Sequence, residues 1–251
     1  MAQVTLFDNG THKNILLEDF TGTGLAVQAN QHLVIDGNAG LILDPGGHKV
    51  YSKVLSATTG ALGKAKLETI FLSHQDPDIV AAVNGWLMTT DATAYVSALW
   101  TRFVPHFGLD RLVESRLVPI KDEGGTLPLG GSTVRIIPAH FLHSEGNHQL
   151  YDPVSKILYT GDLGASLGVD YREVPDWDAH VQYMAGFHRR YMCGNKALRL
   201  WAKIARGLDI EIIAPQHGAL FKGKAMVGKF ISWCETLQCG LDVIEEIYGH
   251  Q

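Results

Sequence analysis

The stretch Leu67–Val80, LETIFLSHQDPDIV, decides how this chain is read. An apolar run through Ile70, Phe71 and Leu72 stops at a polar loop that carries His74, Asp76 and Asp78. A rigid strand that delivers titratable side chains to its end is a common way for a protein to build a site. The loop also has a plain structural reading. Asp76 can cap a helix, Pro77 suits its first position, and Asp78 complements its dipole. The two readings are compatible, because one carboxylate can offer a cap oxygen and a ligand oxygen.

The same design recurs three times downstream. IIPAHFLHSEGN (136–147) carries His140 and His143, ILYTGDLGAS (157–166) carries Asp162, and IIAPQHGAL (212–220) carries His217. Taken singly, Asp162 reads as a turn residue and His217 as a hydrogen-bonded loop histidine. Side chains three apart on an extended strand point to opposite faces, so His140 and His143 are not expected to share a site. His143 ends the run and heads a Gly-containing loop, so it is the expected ligand and His140 a structural residue. Jointly, three histidines and three carboxylates at four strand ends suit two cations, with one carboxylate shared between them. The lack of thiolates disfavours a structural zinc site.

Outside these motifs, GLAVQAN (24–30), HLVIDG (32–37) and AGLILDPGG (39–47) read as strands broken by Asp-Gly and Pro-Gly-Gly. Residues 51–62 suit a helix, as do Pro77 to about Met88. A strand at TAYVSA (93–98) and a helix through Phe107 follow. Strands are expected in STVRIIPAHFLH (132–143) and HQLYDPVSKILYTGD (148–162), with a turn at Asp152-Pro153. A long helix from Trp177 to Gly207, a strand in IEIIAPQHG (210–218) and a helix from Met226 to Tyr248 complete the chain. Two successive sets, each strands first and helices later, predict two packed sheets with helices outside. That is an α/β (α+β) fold, a four-layer αββα sandwich, in one domain over 1–251.

The bulk numbers agree. The 251 residues are 46% hydrophobic and 19% charged, enough for a sizeable core and against disorder. Net charge is −5 and no Lys/Arg stripe could track phosphates, so nucleic acid is not an expected partner. The N-terminus lacks a basic, apolar leader, and no apolar run is long enough to span a membrane. Cys193, Cys234 and Cys239 are an odd number, which argues against a disulfide framework. Neutral or buried thiols in a cytoplasmic protein are expected.

His74-x-Asp76-x-Asp78, followed in order by His143, Asp162 and His217, resembles the metallo-β-lactamase superfamily along essentially the whole chain. The usual first motif there is HxHxDH. A carboxylate at Asp76 is similar to the flavodiiron branch, with its HxExDH. Ile79 departs from both, standing where they carry a final histidine. That departure, with HQDPD, HFLHSEGN, YDPVSKILYTGDLGAS and PQHGA, resembles the bacterial oxygen-binding di-iron protein (ODP) family, linked to chemotaxis and oxygen sensing.

The resemblance implies two iron ions with an oxo, hydroxo or peroxo bridge, with zinc or manganese as alternative occupants. His74, Asp76, His143 and Asp162 would hold the first metal, and Asp78, Asp162 and His217 the second. Ile79 would leave the second with an open position and an apolar wall. His140, Ser144, Glu145, Asn147 and His148 are the candidates to orient these ligands, and His148 or Asn147 to reach the open position. The implied ligand is dioxygen. The implied partners are an electron donor or a chemotaxis signalling protein, because no FMN domain is expected in this chain, and a second copy in a homodimer. If the chain is an enzyme, an O₂ or NO reductase is expected before a hydrolase. The rivals are a zinc-dependent hydrolase of the same fold, acting through a metal-bound hydroxide, and an adaptor that uses the metal only for shape. In the adaptor reading FHRRYM (187–192), with Trp177 and Trp201, would form an interface; at helical spacing the same aromatics read as core.

Overall fold

A computed structural model describes residues 3–17, 19–22 and 24–249. Its first sheet contains β1 (Gln3–Asp8), β2 (His12–Leu17), β3 (Gln31–Asp36), β4 (Ala39–Leu43), β5 (Lys66–Phe71), β6 (Thr93–Ser97) and β7 (Leu117–Ile120), in that order across the sheet. The first four strands pair antiparallel and the last four parallel. Gly37, at φ +58°, makes the two-residue turn that joins β3 to β4, a conformation that costs glycine little. Parallel neighbours need crossovers. α1 (Tyr51–Leu62) supplies one, and α2 (Pro77–Val80) with α3 (Val83–Thr89) supplies the next.

The second sheet contains β8 (Gly125–Leu129), β9 (Ser132–Pro138), β10 (His148–Asp152), β11 (Ile157–Gly161), β12 (Ile212–Pro215) and β13 (Phe221–Lys222), in that order across the sheet. Only β11 and β12 pair parallel, and α4 (Trp177–Tyr191) and α5 (Asn195–Ala205) bridge them. α6 (Lys224–Thr236) and the short α7 (Ile244–Tyr248) follow.

Three apolar clusters show how the layers stack. Leu16, Val34, Phe71, Leu150 and Ile157 meet between the sheets. Val54, Ile70, Trp86 and Ile79 join the first sheet to α1–α3. Met184, Trp201, Ile213 and Phe230 join the second to α4–α6. β3 and β4 are covered on both faces, and every residue in them is buried. The result is a four-layer αββα sandwich. Among the described residues, no helix is long and apolar enough to cross a membrane.

The structure corrects several expected elements. GLAVQAN is not a strand: residues 24–30 form an irregular segment. Its polar side chains are used elsewhere, since Asn30 Nδ2 donates to the carbonyls of Pro215 and Gly218. The expected 177–207 helix is broken at 192–194, where Met192 takes extended backbone and α5 restarts under a cap from Asp242, whose Oδ2 accepts from Asn195 N. The expected C-terminal helix is likewise three pieces, with a 3-10 turn at Gly240–Val243. Val104–Phe107 is a 3-10 turn as well, and β9 stops at Pro138, before either histidine of its run.

Candidate metal centre

The loops after β5, β9, β11 and β12 converge. His74, Asp76, His143 and Asp162 each present one ligand atom, all within 4.8 Å of one another. Asp162 stands at the centre. Its Oδ2 accepts from His143 Nε2 at 3.0 Å, and its Oδ1 lies 3.3 Å from His217 Nε2 and 3.7 Å from His74 Nε2. Asp76 Oδ2 is 3.5 Å from His143 Nε2, and Asp78 Oδ2 is 3.5 Å from His217 Nε2.

The helix start expected at this loop forms, with Asp76 at the N-cap of α2, Pro77 beginning the helix and Asp78 in its first turn, but among the described residues the Asp76 side chain makes no capping hydrogen bond. The carboxylate faces the histidines instead. The donor set also fits a cation by a second criterion. Among the described residues, the buried atoms His74 Nε2 and Asp162 Oδ1 have no hydrogen-bond partner. Buried polar atoms are rarely left so, and a cation would satisfy both. Three imidazoles with three carboxylates and no thiolate form a hard, oxygen-rich set.

Neighbouring groups fix the rings. Ser73 Oγ lies 2.9 Å from His74 Nδ1, and Ser73 N–H donates to Asp44 Oδ1 at 2.8 Å. His217 Nδ1 donates to the Gln28 carbonyl, and Gly218 N–H to the Gln28 side chain at 2.7 Å. Each arrangement holds Nδ1 outward and turns Nε2 towards the carboxylates. On the other side, Phe187 and Tyr191 of α4 lie against the His143 ring, with centroids 6.2 and 5.8 Å away. The two aromatic rings stack on each other at 4.7 Å. His188 sits next to them, buried, donating from Nδ1 to Met184 O and accepting from Gly164 N–H at Nε2. Both bonds need the neutral ring, and burial lowers its pKa to about 4.

These contacts set the charge of the site's side chains. Burial opposes a charged His143, but Asp162 and Asp76 override it and raise the ring to about 10. Burial opposes a charged His217 too, and Asp162 raises it to about 9. Asp162 is pushed up by burial but held well below the usual range by His74, His143 and His217. Burial lowers His74 and raises Asp78.

The remaining expected residues fall in different places. Ile79 is fully buried in the cluster between the first sheet and its helices. His140 donates to Asp122 O at 2.7 Å, away from the carboxylates. His148 does not point to an open metal position: its two ring nitrogens lie 3.0 and 3.1 Å from the carbonyls of Gly146 and Lys121. Its backbone N–H, however, donates to Ser73 O, tying β10 to the His74 loop. Asn147 donates to Leu142 O and Ser144 to Gln75 Oε1, which together brace the His143 loop. Glu145 is exposed. Trp201 is core, and its Nε1 donates to Gln149 at 2.7 Å. The reading of FHRRYM as core or interface missed that Phe187 and Tyr191 wall the site. Asp44 was missed too, although it follows an apolar strand like the other site carboxylates.

Comparison with known proteins adds the following. The profile described as ODP family beta lactamase matches residues 27–218. The solved structure of the peroxy diiron species of chemotaxis sensor ODP superposes with a TM-score of 0.86 at 41% identity, covering 97% of this chain and 99% of that one. The apo state of chemotaxis sensor ODP from T. denticola gives 0.86 at 38% identity, covering 98% of each. The flavodiiron protein from Giardia intestinalis gives 0.72 at 19% identity over 88% of this chain and 56% of that one, a likeness of fold alone. An uncharacterized protein of Methanocaldococcus jannaschii is 23% identical over 228 residues, 86% of this chain. The chain spans 56% of the length of that curated relative.

Proposed function

The chain belongs to the ODP family of β-lactamase-fold proteins, and on that premise we propose that it is a non-haem di-iron protein that binds dioxygen as a sensor or carrier linked to chemotaxis. The observation that carries this reading is the position of Asp162, whose two oxygens face different histidines inside one buried set of three imidazoles and three carboxylates. His74, Asp76, His143 and Asp162 would hold one iron, and Asp78, Asp162 and His217 the other. Two ferrous ions there would supply the electrons and the open coordination that dioxygen needs.

The chain's own residues prepare that chemistry. Asp162 stands between the two halves, with Oδ2 facing His143 and Oδ1 lying between His74 and His217. Ser73 and Gln28 hold the outer nitrogens of His74 and His217, so that the inner nitrogens face inward. Phe187 and Tyr191 exclude water beside His143. Ile79 brings no ligand atom next to Asp78, which favours an open position on that half. An electron donor or signalling protein as partner, a homodimer and a cytoplasmic location belong to the same reading. Three free thiols suit a reducing compartment.

The test is metal analysis joined to an absorption spectrum of the anaerobic, Fe(II)-loaded protein before and after air. Two irons per chain and a lasting new near-UV or visible band are expected, with Asp162→Asn losing both. Prompt oxidation without a lasting band would replace the sensor with a reductase awaiting its donor. Zinc uptake without any band would replace it with a hydrolase.

A further inference from the structure

All three cysteines lie in the layer that α4–α6 form with the C-terminal segment. Cys234 is buried on the inner face of α6, Cys239 is buried at the start of the 3-10 turn Gly240–Val243, and Cys193 is half-buried just beyond α4. The Cys193 backbone is held on both sides. Its N–H donates to Phe141 O at 3.2 Å, two residues before His143, and its carbonyl accepts from Leu241 N at 2.8 Å. A Cβ on Gly240 would sit 2.6 Å from the Cys193 carbonyl carbon. Ordinary bond lengths then place the Cα atoms of residues 193 and 240 within about 6 Å. Cys239 is the next residue along, one Cα step of about 3.8 Å away, so its Cα lies within about 10 Å of that of Cys193. A bridge, which spans Cα separations of about 4.4–6.8 Å, would draw the C-terminal segment towards the end of α4.

We propose that Cys193 and Cys239 form a peroxide-responsive dithiol, with Cys193 as the residue that is oxidised and Cys239 as the residue that resolves it. This goes beyond oxygen binding at the metal centre and does not depend on it. The oxidant is a hydroperoxide. The Cys193 sulfur, the more accessible of the two, attacks the distal peroxide oxygen. The O–O bond breaks, a sulfenic acid forms, and the leaving oxygen takes the thiol proton and departs as water or alcohol. The Cys239 sulfur then attacks the sulfenic sulfur. The S–S bond forms, and the sulfenic hydroxyl departs with the Cys239 proton as water. Two thiols lose two electrons and the peroxide gains them.

Cys239 is the less suited of the two to meet the peroxide first, because it is buried where Cys193 is half-buried. Burial, with Asp242 and the Cys193 thiol adding to it, also pushes its thiol up to about 12, which weakens it as a nucleophile and leaves proximity to Cys193 to favour the resolving step. Burial also pushes Cys234 well up, and that thiol sits within the helix face. The bridge would fasten the end of α4 to the C-terminal segment. α4 carries Phe187 and Tyr191, and Cys193 is bonded to the loop that carries His143, so the thiol state would be felt at the wall of the metal centre.

The experiment treats the full-length, chelated protein with stoichiometric hydrogen peroxide, alkylates it under denaturing conditions and maps the thiols by mass spectrometry. The expected product is lighter by two hydrogens, contains a reducible Cys193–Cys239 peptide pair and leaves Cys234 alkylated. Cys239→Ser is expected to stop at a sulfenic acid on Cys193, trapped by a dimedone probe. Three alkylated thiols after peroxide, a bridge that includes Cys234, or a wild-type Cys193 that goes on to sulfinic acid unbridged would each overturn the proposal. The wild-type map decides the matter even if the variant does not fold.

Discussion

The ring of Tyr191 rests edge-on against that of His143, with centroids 5.8 Å apart and planes at 64°. Tyr191 is 57% exposed, and His143 is largely covered. One aromatic ring therefore separates solvent from a group in direct contact with Asp162 and Asp76. Phe187, stacked on Tyr191, completes the cover.

Tyr191→Ala should open this cover without touching a carboxylate or a histidine nitrogen. Iron content is expected to stay at the wild-type value. The lifetime of the oxygen-dependent absorption band should fall, on the order of tenfold, the equivalent of about 1.4 kcal/mol in a barrier. Tyr191→Phe should restore it, because the ring shields and the hydroxyl does not. An alanine variant with an unchanged lifetime would remove Tyr191 from the shield.

Ser73 joins Asp44 to His74. Its backbone N–H is bonded to the Asp44 carboxylate and its hydroxyl lies at His74 Nδ1. Burial raises Asp44 to about 7, so this carboxylate holds a proton far longer than an exposed one. Ser73→Ala removes the hydroxyl and leaves His74 Nδ1 unpaired in a buried site. Groups that orient ligands in this way contribute roughly 10–100-fold to metal affinity. The variant is expected to bind iron weaker by that factor in a competition titration with a chelator, while Ser73→Thr retains most of the affinity. Equal affinities for alanine and wild type would show that the hydroxyl does not orient the ring.

Much of this architecture is legible in the sequence because apolar runs end where their polar residues begin. His74, Asp162 and His217 each follow such a run, and the structure brings them together. Asp44 follows one too, in LILDPGG, and the same rule would have found it. His143 lies among the carboxylates and His140 does not, but not for the reason that strand alternation gives. β9 ends at Pro138, so both histidines lie in a loop whose hydrogen bonds decide their direction. What stays hidden is non-local. The segment 24–30 looks like a strand until Pro215 and Gly218 are seen to use its polar side chains. The break between α4 and α5 depends on a cap from Asp242, 47 residues further on. Phe187 and Tyr191 have the helical spacing of core residues, and nothing local says that His143 lies across from them.

His12 and Asp152 tie the two sheets together far along the chain from each other. His12 Nε2 donates to Asp152 Oδ2 at 2.7 Å, with Asn14 and Ser155 donating to the same oxygen, and all four residues are buried. Burial opposes the charged ring, but Asp152 and Asp36 raise His12 above 6.5. Burial likewise opposes the carboxylate, but His12, Ser155 and Asn14 hold Asp152 below 3.8. The signs follow from linkage. The raised histidine contributes in full below pH 6.5 and loses its contribution as pH rises through its folded value. The lowered aspartate contributes above pH 3.8 and loses its contribution as pH falls through its folded value. Urea unfolding of the full-length protein should therefore show the greatest contribution from the pair between these limits. Removing one partner of a buried pair costs roughly 3–5 kcal/mol. His12→Ala is expected to lose about 3 kcal/mol near pH 6, at the low end because Asn14 and Ser155 still serve Asp152. The deficit should shrink as pH rises and wild type loses its own charged ring. A deficit that stays constant with pH would mean that His12 acts through its packing alone.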